Sequence, residues 1–242
     1  MNRSVPAGRL DLPSSDHVAH PPRLMLKALR PAFAAYARHR FELTVRNADR
    51  FPDDGPVVVV ANHIGFVDGP LMAIISPRPV HALTKREMFH GSMGHFLLAS
   101  GQVPIWRAQV DPAAVKQTLR VLRSGGAVGI FPEGTRGAGE VNRVESGAAY
   151  FAMATGAQVL PLAFLGTRVP GGALDSIPPS GTTMTMTYGE PMDVEQQPWP
   201  RRTADVRVLS HEIRNRLLAT LREAEAVTGM TLPGPVPGEE AA

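Results

Sequence analysis

The sequence predicts an α/β protein with one domain, built on a mixed but mostly parallel sheet with helices on both faces. Short apolar runs rich in β-branched residues alternate with longer segments of helical periodicity, as in βαβ units. Several runs end in polar residues, which is where open α/β sheets gather their ligands. The 242 residues contain no internal repeat and no second block of composition. One domain is therefore expected.

The two ends of the chain are expected to lie outside this domain. Residues 1–22 are polar, contain prolines and lack the continuous apolar core of a signal peptide, so they are predicted to be a disordered lead. Residues 231–242 carry too little apolar surface to order themselves and are predicted to be a disordered tail. The domain is predicted to span residues 23–230.

The first predicted element is an amphipathic, basic helix over residues 23–40. Apolar side chains recur there at helical spacing, with lysine and arginine between them. Two interpretations stay open, and both can hold at once. The helix packs on the sheet as an ordinary first helix, or it lies among the headgroups of an anionic bilayer.

The following elements alternate in type. The strand at residues 57–61 begins after the turn residues 53–56, and the strand at 127–131 follows the glycine pair at 125–126. The helix before that pair starts at Asp111, an acidic cap followed by proline. The remaining predictions are helices at 69–75 and 146–155, strands at 80–83, within 101–107 and at 159–164, a near-edge strand at 182–188, and a long final helix through residues 206–221.

His63 and Asp68 form the first candidate site. The histidine follows the strand at 57–61, and a helix starting near residue 68 can bring the carboxylate back to one ring nitrogen. The other nitrogen is then free to take a proton from an alcohol or water. The alternative is structural: His63 packs at the strand end and Asp68 caps the helix at 69–75.

Cationic and glycine-rich segments follow three other strands. Gly134 lets the backbone approach a ligand, Arg136 offers a planar fork for phosphate oxygens, and Glu133 can orient that arginine or bind a hydroxyl. Arg107 and Lys85 supply further positive charge. Surface ion pairs are the alternative for the two arginines, and a solvated helix start is the alternative for Lys85.

Four blocks in order resemble the motifs of the glycerolipid acyltransferases: His63-x4-Asp68, and residues 101–107, 131–136 and 159–162. Within that superfamily the pattern is most similar to the 1-acylglycerol-3-phosphate (lysophosphatidic acid) acyltransferases, over about residues 41–189. The resemblance implies a glycerol-3-phosphate acyltransferase-like fold. It also implies transfer of a fatty acyl group from acyl-CoA or acyl-carrier protein to the hydroxyl of a lysoglycerophospholipid.

The resemblance also implies roles for single residues. His63 would deprotonate the acceptor hydroxyl, and Asp68 would orient the ring and stabilise the imidazolium. The acceptor's phosphate and glycerol would be held by Arg107, Glu133, Gly134 and Arg136, with Lys85 nearby. Two positions depart from the family pattern. Gly65 stands where many members carry serine, and residues 103–106 differ from the usual run of isoleucine and phenylalanine.

Composition limits the partners and cofactors. The formal net charge of +3 is mild, and no zinc-finger, basic-zipper or RNA-binding pattern is present, so nucleic acid is not an expected partner. With no cysteine there is no thiolate metal site, and no metal or cofactor is expected. The expected partners are an acyl thioester donor, a lipid acceptor and a membrane surface. Ten methionines suit either core filling or a flexible acyl chain.

No run reaches the ~18 apolar residues of a membrane-spanning helix. We therefore expect a cytoplasmic protein, peripheral on the inner face of the cell membrane. Two other classes of function remain open. A hydrolase would use His63 and Asp68 on water but would need a nucleophile or a metal, and a non-catalytic lipid-binding scaffold would have no need of a base.

Overall fold

The computed structural model describes residues 10–107 and 109–236. Within them the strands are β1 Glu42–Arg46, β2 Val57–Ala61, β3 Val80–Lys85, β4 Val103–Ile105, β5 Ala127–Ile130, β6 Gln158–Leu165 and β7 Thr183–Tyr188. The α-helices are α1 Leu24–Arg40, α2 Asp68–Ile75, α3 Gly91–Ala99, α4 Pro112–Arg123, α5 Gly147–Thr155 and α6 Thr203–Thr228, and short 3-10 turns lie at Ala48–Arg50 and Arg86–Met88.

The described strands form one sheet in the order β1-β7-β6-β2-β5-β3-β4. Neighbouring strands run parallel except β6 and β7, which are antiparallel. The predicted mixed, mostly parallel sheet is confirmed. Strand β7 lies next to the edge strand β1, in agreement with its predicted near-edge position. Strand β1 itself was not predicted, because its five residues mix Leu43 and Val45 with charged neighbours.

The central position of β2 follows from its composition. All five of its residues are buried, as expected for a parallel strand covered on both faces. Val57 and Val59 belong to a core that includes residues of α1 and α2. Val58 and Val60 belong to a second core with α4, α5 and α6. Helices therefore cover both faces, as predicted. The carboxyl end of β2 lies near the middle of the row of strand ends, because β2 is the fourth of the seven strands in the sheet.

Helix α4 begins where the sequence predicted. The carboxylate of Asp111 accepts hydrogen bonds from the backbone N–H groups of Ala113 and Ala114, each at 3.1 Å, and Pro112 occupies the first turn. The cap satisfies two of the orphan donors at the helix start. Helix α3 was not predicted from the sequence.

The predicted disordered lead is too long. Its described part, residues 10–22, lies against α4, where the guanidinium of Arg123 donates to the carbonyl oxygens of Asp11 and Pro13 at 2.7 and 2.9 Å. The same arginine donates to the hydroxyl of Ser15, which is buried. These hydrogen bonds from an arginine to backbone carbonyls order the segment. A prediction from composition takes no account of such bonds. Residues 1–9 lie outside the described residues.

The predicted disordered tail also needs correction. Leu232 packs against two of the apolar cores, and the carbonyl of Gly234 accepts a hydrogen bond from Arg168. Residues 231–236 therefore belong to the folded domain, whereas residues 237–242 lie outside the described residues. Across residues 10–107 and 109–236, none of the helices has the length and apolar character needed to cross a bilayer.

Candidate active site

The loop after β2 is fixed to the neighbouring strand at its first residue. The side chain of Asn62 is fully buried; its Nδ2 donates to the carbonyl of Phe164 at 3.0 Å, and its Oδ1 accepts from the N–H of Phe164 at 2.7 Å. These two bonds replace the ladder bonds that end with β2. The next residue, His63, therefore starts from a fixed backbone position.

His63 and Asp68 are in direct contact. The Nδ1 of His63 lies 2.8 Å from Oδ2 of Asp68. Because an ionised carboxylate can only accept, Nδ1 carries the hydrogen and Nε2 of the neutral ring is left as an acceptor. The same Oδ2 accepts the backbone N–H groups of Ile64 and Gly65, each at 2.8 Å. The carboxylate thus fixes both the ring and the loop that carries it.

The hydrogen bonds of Asp68 run towards the histidine loop. Asp68 is the first residue of α2 and its side chain is fully buried, and its bonds run back to residues 63–65 instead of forward into its own helix. A simple helix cap would accept from the second or third residue of α2. The structure favours the orienting arrangement.

The imidazole of His63 lies at the boundary between core and solvent. It stacks on the ring of Phe131, with centroids 3.9 Å apart and planes at 16°. Its side chain is 19% exposed, while that of Asp68 is fully buried. Phe131 covers one face of the ring, and Asp68 occupies Nδ1. A ligand can therefore approach the ring only from the remaining directions.

Glu133 holds the backbone of His63. Its Oε1 accepts from the N–H of His63 at 2.8 Å, and the N–H of Gly137 donates to the carbonyl of His63 at 3.0 Å. Burial raises the pKa of Glu133 to about 7, against the lowering effect of hydrogen bonds from the backbones of His63 and Val141. Glu133 was predicted to orient Arg136 or to bind a hydroxyl, but this contact makes it a support for the histidine loop.

Arg136 pairs with the loop between β6 and β7. Its guanidinium donates to the carbonyl of Leu174 at 2.6 Å and lies 2.7 Å from a carboxylate oxygen of Asp175. The side chain of Arg136 is 14% exposed and that of Asp175 is 82% exposed. The arginine also lies 5.9 Å from the centre of the Phe66 ring. An exposed aspartate is a partner that an incoming anion can replace.

Two further predicted cations reach the same area. The exposed Arg107 follows β4 and donates to the carbonyl of Gly134, whose φ of +72° suits glycine. Lys85 is the last residue of β3 and is half-buried. It therefore ends a strand and also caps the exposed 3-10 turn Arg86–Met88, so the alternative of a solvated helix start describes its backbone position as well.

One cleft of about 1,910 Å³ collects the predicted site residues except Asp68, which lies behind the imidazole. Its polar lining includes His63, Lys85, Arg107, Glu133, Gly134 and Arg136. Most of the rest is apolar, and the residues from α1 to α3 include Met25, Leu29, Phe33, Met93, Phe96 and Leu97. Cations at one place and a long apolar wall elsewhere suit a ligand with an anionic head and a hydrocarbon chain.

Three residues of the site were not predicted as such. Asn62 and Phe131 lie beside predicted residues in the sequence. The pattern that could have indicated them is a strand end followed by polar residues. Arg168 is buried next to the histidine loop although it is far from that loop in sequence. An arginine that follows a strand in the sequence does not indicate that its side chain will be buried next to a distant loop.

A solved structure shares this fold. The structure of the 1-acyl-sn-glycerophosphate (LPA) acyltransferase PlsC from Thermotoga maritima superposes with a TM-score of 0.61 at 21% sequence identity, covering 83% of this chain and 80% of that chain. At that identity the similarity establishes the fold.

Curated relatives match over shorter stretches. The 1-acyl-sn-glycerol-3-phosphate acyltransferase of Bacillus subtilis is 32% identical over 124 residues, which are 50% of this chain and 62% of the relative. The enzyme of the same name from Borreliella burgdorferi is 28% identical over 131 residues, 52% of each chain. The chloroplastic LPAT1 of Arabidopsis thaliana is 27% identical over 195 residues, 75% of this chain and 49% of the relative. The chain thus spans about half to three fifths of the length of these relatives.

The family model named Acyltransferase matches residues 42–165, which is about half of the chain and includes the loops that carry His63, Asp68, Arg107, Glu133 and Arg136. With this match, the fold and the buried carboxylate behind the histidine, the chain belongs to the Acyltransferase family.

Proposed function

We propose that this protein is an O-acyltransferase that moves a fatty acyl group from an acyl thioester to the hydroxyl of a 1-acylglycerol-3-phosphate. The observation that carries the proposal is the contact of 2.8 Å between Nδ1 of His63 and the fully buried Asp68, at the wall of a cleft with an apolar lining. The names of the matched relatives support the choice of acceptor.

His63 acts as the general base in this proposal. Its Nε2 takes the proton from the acceptor hydroxyl while the oxygen attacks the thioester carbonyl. The tetrahedral intermediate collapses with release of the thiolate, which takes the proton from the imidazolium. Asp68 stabilises the imidazolium meanwhile and keeps the ring in the productive tautomer. The acyl group passes directly from sulfur to oxygen, which agrees with the absence of cysteine from the sequence.

The cations at the cleft bind the phosphate of the acceptor. Arg136 exchanges its ion pair with the exposed Asp175 for phosphate oxygens, and Arg107 and Lys85 add positive charge along the same wall. Holding the phosphate places the hydroxyl near His63, so that attack becomes effectively unimolecular. Glu133 and Gly134 contribute by shaping the loop, through the bonds to His63 and Arg107.

The apolar part of the cleft receives the acyl chain of the donor, acyl-CoA or acyl-carrier protein. Met25 and Met93 lie in its wall, and unbranched methionine side chains adapt to a flexible chain. Other methionines, among them Met72, Met184 and Met186, are fully buried, so both interpretations of the methionine content apply.

Helix α1 supplies contact with the membrane. It packs against α2 and β1, and it also leaves the side chains of Leu24 and Tyr36 81% and 62% exposed, while the basic residues Lys27 and Arg38 on the same helix are exposed as well. Packing and membrane contact therefore use different faces of one helix. A basic helix with exposed apolar residues supports the proposal that the protein is peripheral on the inner face of the cell membrane. Flotation with anionic phosphatidylglycerol vesicles tests the assignment, since a Leu24→Ser and Tyr36→Ser double variant should bind them at least about 5-fold more weakly.

The experiment that tests the activity is thiol release from oleoyl-CoA, with and without lysophosphatidic acid, for the wild type and His63→Ala. Release that needs both the acceptor and His63 supports the proposal. Release that ignores the acceptor shows a thioesterase instead. Vesicle and lysophosphatidic acid binding without release from either oleoyl-CoA or an acyl-carrier protein shows a lipid-binding scaffold.

A further inference from the structure

The backbone of the loop that carries His63 is hydrogen-bonded to several other segments of the chain. The N–H of His63 is bound by Glu133 and its carbonyl by Gly137, while the N–H groups of Ile64 and Gly65 are bound by Asp68. The carbonyl of Ile64 is bound by the guanidinium of Arg168 at 2.9 Å. Asp68, at the start of α2, and Glu133 and Gly137, after β5, come from segments that belong to the candidate site. Arg168 comes from a different part of the chain, after β6.

Within residues 10–107 and 109–236, Arg168 connects at least four segments. It is 1% exposed, and besides Ile64 it donates to the carbonyl oxygens of Gly137 at 3.1 Å, Gly172 at 3.2 Å and Gly234 at 2.7 Å. A buried guanidinium costs free energy unless its donors are satisfied, so these carbonyls hold the arginine as much as it holds them. The loops after β2 and β5 are thereby tied to each other through one side chain.

The C-terminal segment, residues 231–236, completes this arrangement. Gly234 supplies one of the four carbonyls, and Leu232 packs in the core that contains Ile64. The space between them is tight: a Cβ on Gly139 would come within 2.2 Å of Ile64 Cγ2 and 3.1 Å of Leu232 Cδ2. Residues 231–236 therefore support the histidine loop in two ways. Leu232 packs in the same core as the side chain of Ile64, and Gly234 binds the guanidinium that holds the carbonyl of Ile64.

We propose that Arg168 is a positioning residue for His63, and that residues 231–236 act with it as a clasp that keeps the histidine loop in its reactive geometry. The proposal goes beyond the proposed function in assigning a role in catalysis to residues 231–236, and its activity readout rests on that function. Arg168 touches no reacting atom; it acts through the carbonyl of Ile64 and the backbone of the loop.

Two shortened chains test the clasp. A chain that ends after Met230 loses both Leu232 and Gly234, whereas a chain that ends after Val236 keeps both and serves as the matched control. Hydrogen exchange of the amides of Ile64 and Gly65 should be at least about 10-fold faster in the first chain than in the second, which shares the loss of residues 237–242. The kcat should fall about 10-fold or more in the first chain, with the KM for lysophosphatidic acid within about 2-fold of the wild type.

A substitution at Arg168 tests the arginine itself. Arg168→Lys keeps the charge but cannot span the four carbonyls, so it should lower kcat at least about 10-fold and speed exchange in the histidine loop. Arg78→Lys is the matched control. Arg78 also binds backbone carbonyls, those of Pro52, Gly55 and Gly125, at the opposite end of the same strands. It should lower stability without slowing kcat.

The outcomes separate the two proposals. Unchanged exchange at Ile64 and Gly65 in the chain ending after Met230, or an equal loss of kcat in Arg78→Lys, would overturn the clasp. A wild type that shows no acyl transfer would overturn the proposed function while the exchange measurement still judges the clasp. If Arg168→Lys does not fold, the two shortened chains, which keep Arg168, decide the question.

Discussion

The carboxylate of Glu133 accepts a hydrogen bond from the backbone N–H of His63 at 2.8 Å. The loop after β5 therefore supports the loop after β2 at the histidine itself. The cost of this support is a half-buried carboxyl group whose pKa is raised to about 7, in the first place by burial. Support for the base and sensitivity to pH thus come from one side chain.

Glu133→Gln should change how stability depends on pH. Between the ordinary pKa of 4.5 and the folded value of about 7, the folded protein keeps a proton that the unfolded chain has lost. The free energy of unfolding contributed by this group is therefore fully present below about pH 4.5 and falls as pH rises through about 7, by a few kcal/mol at most. Chemical denaturation of both proteins from pH 4.5 to 8 measures the difference.

Glutamine at position 133 can still accept from the N–H of His63, so kcat near pH 6 should stay within about 10-fold of the wild type. Glu133→Ala, which cannot accept, is the contrasting variant and should lose more activity. Parallel stability curves for the wild type and Glu133→Gln over this pH range would show that the pKa of Glu133 is not raised.

His63→Ala should lower kcat by at least about 100-fold, because general-base catalysis contributes on the order of 10²–10⁴. The loss should occur without loss of fold, since the ring is partly exposed and its backbone partners remain. Steady-state thiol release together with thermal unfolding measures both. Activity within about 10-fold of the wild type would mean that another group removes the proton.

Asp68→Asn should cost both activity and stability. Oδ2 of Asp68 accepts from His63, Ile64 and Gly65, and an amide at this place loses the charge that stabilises the imidazolium. We expect kcat to fall on the order of 100-fold and the free energy of unfolding to fall by roughly 1–3 kcal/mol. A variant that is destabilised but fully active would reduce Asp68 to a structural residue.

The sequence predicted the parts of the site that are local in the chain. Val57–Ala61 reads as a buried strand from composition alone, and a histidine and a carboxylate at its end can meet within one turn. Arg168 could not be predicted, because its bond to Ile64 spans more than a hundred residues and depends on the way β6 and β2 pair. The order of residues 10–22 was missed for a similar reason, since it depends on carbonyl bonds from the distant Arg123.

Arg136→Ala should raise the KM for the acceptor at least about 10-fold and change the KM for the donor little, because the arginine is proposed to bind the acceptor's phosphate. Asp175→Asn is the matched variant. It removes the carboxylate 2.7 Å from Arg136 and should leave the acceptor KM unchanged or lower it. A rise confined to the donor KM in Arg136→Ala would assign this part of the cleft to the donor.

Gly65→Ser should destabilise the protein, although the family pattern favours serine at this position. A Cβ on residue 65 would lie 2.2 Å from the carbonyl oxygen of Thr167 and 2.8 Å from its carbon, and both are backbone atoms that cannot rotate away. In this chain the segment next to Arg168 occupies the space that a side chain would need. The absence of a side chain at Gly65 is thus what allows this close approach of the backbone at Thr167.

We expect Gly65→Ser to lower the free energy of unfolding by roughly 1–3 kcal/mol, the usual range for overpacked sites. Gly137→Ala is the control, since a Cβ there meets no atom within 4 Å, and it should change stability by less than about 1 kcal/mol. Chemical denaturation of both variants measures the contrast. Equal stability of Gly65→Ser and the wild type would show that the contact with Thr167 yields easily. The histidine loop would then not be held as tightly as its hydrogen bonds indicate.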